Sequence, residues 1–186
     1  MDRLVIKQAL GNEQVTWYYV VSLIGKTLVL LIAPINTIVI SYLTKRKELL
    51  TRSQFGKAVL AGGGVSLVFF LACQVGTPLF VWLFYRNLYD SVKGLVTVVN
   101  LAQILGLFSA FLFILVLTFT DEKWQLWIQL AHFAVLLVTS VLAARAYGMI
   151  GFAWASLGAN SLRVAAVIIL GLVKAGKDKG GSNADR

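Results

Sequence analysis

Acidic residues are scarce in this chain, and none lies where membrane chemistry would need one. The eight are Asp2, Glu13, Glu48, Asp90, Asp121, Glu122, Asp178 and Asp185, all outside the long apolar runs. The sequence therefore lacks an in-membrane carboxylate pair for proton or cation handling. Cysteine is limited to Cys73, which rules out an internal disulfide and a cysteine-cluster metal site. No Walker A, HExxH or CxxC pattern is present. Interfacial membrane enzymes need clustered acids or histidines. Here Asp90 stands alone, and the Asp121–Glu122 pair ends ten residues before His132. These absences lead us to expect a protein that is not an enzyme, with no catalytic residue, metal or cofactor. Charge of either sign is also sparse, at 13% of residues, about half the usual share in a soluble domain. Residues 1–15 mix Asp2, Arg3, Lys7, Asn12 and Glu13 among apolar positions and do not read as a signal peptide.

What is there in abundance is apolar sequence. Hydrophobic residues make up 59% of the 186, and the mean hydropathy is +0.81. So apolar a chain needs lipid as its solvent, which makes it an integral membrane protein. The net charge of +9 sits mostly between the apolar runs. It is better explained by membrane orientation than by nucleic acid. Crossing a bilayer takes about 20 residues per helix, and five runs are long enough: 16–43, 58–85, 94–119, 124–144 and 149–173. None alternates as a barrel strand would. The expected fold is an all-α, polytopic bundle of five transmembrane helices over 1–173, followed by a polar cytoplasmic tail, 174–186.

Orientation follows from the basic residues. Arg3, Lys7, Arg86, Lys93 and Arg145 fall on one side, five in all; Lys45, Arg46, Lys47, Arg52, Lys57, Lys123, Lys174, Lys177, Lys179 and Arg186, ten in all, fall on the other. The richer side is expected to be cytoplasmic, with the N-terminus outside and the C-terminus inside the plasma or inner membrane. Trp17, Tyr18, Tyr19, Trp82, Tyr85 and Trp124 at run ends fit interfacial anchoring. Pro34 and Pro78 are expected to kink their helices, and Gly62, Gly63 and Gly64 add a soft point. Tyr147 and Gly148 end the fourth run, and Gly151, Ala153 and Ala155 open the fifth with small residues suited to close helix approach.

Two cations lie deep in runs. Lys26 is ten residues into the first and Arg163 ten from the end of the fifth, each on the order of 15 Å from the nearer end. Burying such a cation costs about 2.5–3.5 kcal/mol on insertion scales. With no acid in any run, the expectation is that both face water, backbone carbonyls, an anionic ligand or an acid from another polypeptide. Ser22, Lys26, Ala33 and Thr37 share a helix face, as do Ser156, Ala159, Asn160, Arg163 and Ala166. Thr97, Asn100, Gln103 and Gly106 form a third stripe. The alternative for all three is a hydrogen-bonded packing seam. His132 reads either as a proton relay or as a packing residue.

Three segments carry a family resemblance. They are Asp2 to Val20, with Asp-Arg-Leu-Val-Ile and Leu-Gly-Asn-Glu-Gln-Val ahead of Tyr18 and Tyr19; Leu83-Phe84-Tyr85-Arg86-Asn87-Leu88-Tyr89; and Tyr147-Gly148-Met149-Ile150-Gly151-Phe152-Ala153. In order and spacing the chain resembles the C-terminal lobe of Wzx-type polysaccharide (oligosaccharide) flippases, in the multidrug/oligosaccharidyl-lipid/polysaccharide exporter superfamily. Tyr85 departs from a family glycine, and Phe152 from a small residue. The resemblance implies two bundles of about six helices around a central cavity, with residues 2–20 an external loop leading into a helix. It also implies flipping of polyprenyl-diphosphate-linked oligosaccharide for cell-surface polysaccharide such as lipopolysaccharide. On that reading Lys26 and Arg163 meet the diphosphate, Asn100 and Gln103 line the cavity, and the chain is a fragment whose partner is an N-terminal lobe. Its other partners are lipid-linked saccharide and membrane lipid, not nucleic acid. The rivals are a multidrug exporter lobe, which the missing intramembrane acids disfavour, and a non-transporting assembly protein of envelope biosynthesis.

Overall fold

The computed structural model describes residues 2–45 and 51–175, apart from some side chains between 31 and 45 and that of residue 122. Regular structure among the described residues is entirely helical. It begins with α1 (Asp2–Leu10) where the sequence reading expected a loop. Asp2, Val5, Ile6 and Ala9 share one face of α1, and Ile6 is fully buried. Gly11, at φ 93°, ends α1 by donating its N–H to the Lys7 carbonyl at 3.1 Å, a reversal that favours glycine.

Helix α2 (Asn12–Lys45) follows, continuous through Pro34. Helix α3 (Arg52–Phe84) is continuous through Pro78 and starts on a capping box between Thr51 and Gln54. A single 3₁₀ turn (Arg86–Leu88) and α4 (Tyr89–Val92) lead to α5 (Val96–Leu117). At ~1.5 Å per residue, its 22 residues give α5 a length of about 33 Å, close to the ~30 Å hydrocarbon core of a bilayer. The last helix, α6, runs from Glu122 to Lys174, 53 residues.

Five separate spans were expected, but among the described residues three helices are long and apolar enough to cross a membrane: Arg52–Phe84, Val96–Leu117 and Lys123–Lys174. The cause lies at the 145–155 turn. The expected runs 124–144 and 149–173 are two helices that meet directly at Gly148, whose backbone (φ 66°, ψ −149°) is not helical. The stretch Glu122–Lys174 thus consists of two arms, 122–147 and 149–174, with no loop between them. His132 on one arm contacts Asn160 on the other at 3.2 Å, so the arms lie antiparallel. The expected run 16–43 falls within α2, which is not among the three. All of the expected tail beyond Ala175 lies outside the described residues.

Three apolar layers order the bundle. At one end Ile6, Val20, Val21, Val81, Val96 and Phe152 pack together. Cys73, Ile104 and Leu107 form the middle, and Phe55, Leu112, Phe119 and Val167 the far end. From these layers, α2, α5 and residues 149–174 run one way, and α3 and residues 122–147 run back. Helix α5 is the hub: 56% of its apolar window is buried, against 6% in α3 and in α6. The apolar surfaces of α3 and α6 therefore face outward, the distribution expected of helices whose solvent is lipid.

Candidate functional site

The stripes on α5 divide among its neighbours instead of opening onto one cavity. Asn100 is fully buried. Its Nδ2 donates to the Cys73 carbonyl at 3.1 Å, Gln74 Oε1 at 3.2 Å and Thr77 Oγ1 at 3.2 Å, while Oδ1 lies 3.3 Å from the Thr77 hydroxyl. Gln74 Nε2 in turn donates to Thr97 Oγ1 at 2.9 Å. This network fastens α3 to α5. The hydrogen-bonding capacity of Asn100 is thus used within the seam, which supports the packing alternative at this position.

Gln103, three residues on, turns toward α2. It sits against Gly25, where a Cβ would overlap its amide oxygen. Both polar atoms of the Gln103 amide are buried without a partner, an arrangement that normally calls for water or another polar group. A rotation of ~60° between positions three apart on a helix is enough to send these two amides to different neighbours.

Lys26 follows Gly25 and does have a carboxylate. Its Nζ lies 3.8 Å from Asp2 Oδ2 and 4.9 Å from the centre of the Tyr18 ring. The Tyr18 hydroxyl donates to the same Asp2 oxygen at 3.0 Å. The expectation that Lys26 faces water, backbone carbonyls, an anionic ligand or another polypeptide's acid is corrected here: α1, outside the apolar runs, folds back and brings it an acid of this chain. Both side chains of the pair remain more than a third exposed, at 38% and 37%. Because the pair is partly solvated, Asp2→Asn should raise amide hydrogen exchange across α1 by about two- to fivefold. Unchanged exchange would mean that Ile6 packing alone holds the helix.

Arg163 lies in a groove between the α6 arms with Ile128, Ala131, His132, Val135, Ala159, Leu162 and Ala166. Its guanidinium stacks over the Phe113 ring at 4.9 Å. Its Nε is buried with no hydrogen-bond partner, and among the described residues no carboxylate pairs with it. No family model, curated protein or solved structure matches this chain.

The remaining polar positions hold the frame together. Asn160 donates from Nδ2 to the Ala102 carbonyl at 2.9 Å and joins His132 through Oδ1, so one side chain ties both arms of α6 to α5. His132 thus sits in a packing contact. Among the described residues no group of three metal-ligating side chains forms. Outside the long helices, Lys93 Nζ donates to Asp90 at 2.9 Å, and that bond raises the pKa of the ammonium.

Sequence reasoning did not anticipate Asp2, Gly25, Thr77 or Asn160 in these particular contacts. A signal for Asp2 was present: an amphipathic nine-residue segment closed by glycine is a helix able to fold back.

Proposed function

We propose that the chain crosses the membrane five times and forms one wall of a flippase lobe for polyprenyl-diphosphate-linked oligosaccharide. The crossings are α2, α3, α5 and the two arms of α6, with the N-terminus outside and the C-terminus cytoplasmic. Their alternating directions support the crossing number. Basic residues support the orientation: Arg3, Lys7, Arg86, Lys93 and Arg145 flank one end of the bundle, and Arg52, Lys57, Lys123 and Lys174 the other. A second lobe completes the transporter.

The observation that carries the reading is Lys26. Its ammonium lies within a membrane-length helix, and the carboxylate opposite it belongs to a separate short helix at 3.8 Å. Such a loosely held, partly exposed counter-ion is exchangeable, and a diphosphate offers the same charge-assisted contacts with greater charge. The unpartnered Gln103 amide nearby supplies further hydrogen-bonding capacity.

In cells carrying the complete transporter, Lys26→Glu should reduce surface polysaccharide at least tenfold, while Lys26→Arg retains most of it. The swapped pair Asp2→Lys with Lys26→Glu restores the ion pair. It should still fail to export if the cation on α2 meets the diphosphate. Full export by the swap would reduce Lys26 to a structural role and sink the reading.

A further inference from the structure

Arg163 poses a problem that this chain does not solve for itself. It is 14 residues from Met149 and 11 from Lys174 in its arm of α6, so its Cα is roughly 16–21 Å from either end. Its guanidinium lies over Phe113 of α5. The cation–π contact offsets part of the desolvation cost but leaves Nε buried and unpaired. Lys26, facing the same cost, is met by Asp2.

The surface around Arg163 is shaped for a helix. Ala131, Ala159 and Ala166 line the groove, and small residues of this kind let helix backbones approach closely. The apolar window of α6 is only 6% buried by the rest of the chain. Leu162, beside Arg163, is 65% exposed.

We propose that this groove docks a membrane-spanning helix, from outside these 186 residues, that carries an aspartate or glutamate near mid-bilayer. Charge complementarity selects the occupant. A second copy of this chain offers only Asp2 at such a depth, and that carboxylate is already held by its own Lys26 and Tyr18. A lipid phosphate sits at the membrane interface and brings no helix to cover the apolar groove. A carboxylate on a partner helix reaches the right depth, pairs bidentately with the guanidinium and covers the apolar groove with its own helix. This holds whatever the bundle transports.

The test uses the whole protein in neutral phosphatidylcholine vesicles with a leucine-rich transmembrane peptide bearing one central aspartate. Matched peptides bear asparagine or leucine instead, and association is read by energy transfer. The aspartate peptide should associate at least tenfold more tightly than either. Arg163→Gln should abolish that preference, Arg163→Lys should retain most of it, and Lys26→Gln should leave it intact. Equal binding of all three wild-type peptide pairings overturns the proposal without depending on any variant's folding. So does loss of the preference when anionic phosphatidylglycerol is added at one part in five, which would assign Arg163 to a lipid headgroup.

Discussion

Gly151→Ala should destabilise the protein by about 1–3 kcal/mol and loosen the pairing of the α6 arms, a large loss for a position carrying no functional group. A Cβ at 151 would overlap the Ala143 carbonyl oxygen and come within 2.8 Å of the Tyr147 Cβ. The first obstacle is backbone, which no side-chain rotation relieves. Gly148→Ala should cost a comparable ~1–3 kcal/mol for a different reason, since φ 66° with ψ −149° is a conformation essentially confined to glycine. Gly158, in the same arm, has open space around its Cβ position. Alanine there should be neutral or stabilise by up to about 1 kcal/mol, which makes it the control. Unfolding in mixed micelles, followed by energy transfer between the arms, measures all three. Equal stability of Gly151→Ala and Gly158→Ala would show that the turn has slack.

Asn100→Leu carries the second large effect. Leucine has similar volume, so the loss is polar: Thr77 and Gln74 each lose their Asn100 partner in the α3–α5 seam. A buried polar group left without a partner costs about 1–3 kcal/mol. A double-mutant cycle with Thr77→Val isolates one bond, expected near ~0.6 kcal/mol and at most ~1.7, as for other hydrogen bonds between membrane helices. Transport by a folded Asn100→Ala variant should stay close to wild type, because the amide already spends its bonds inside the seam. A selective loss of transport without a loss of stability would return Asn100 to the substrate path.

The membrane class and the helical fold were legible because they depend on quantities local to the sequence: run length, hydropathy and the absence of alternation. The ends of α5 were expected at 94 and 119 and lie at 96 and 117. The turn at Gly148 was also legible, since only a residue without a Cβ accepts its angles. What that turn does to the chain was not. The non-helical backbone at Gly148 lets the two expected helices follow each other directly, and periodicity does not distinguish a hairpin joined without a loop from two helices joined by one.

Side-chain partners were the least legible feature. Lys26 and Arg163 look equivalent in sequence, each a cation far from any acid in its own run. Folding separates them, because α1 turns back at Gly11 and brings Asp2 to Lys26, while among the described residues nothing comparable reaches Arg163. Asn100 and Gln103 look equivalent too, yet one is saturated against α3 and the other unpaired against α2. The sequence by itself determined an all-helical chain with runs long and apolar enough to cross a membrane and two cations deep within them, since burial cost and helix length act residue by residue. The tertiary structure alone decided which polar groups meet, because a hydrogen bond or ion pair depends on a few ångströms between segments as far apart in sequence as Ala102 and Asn160.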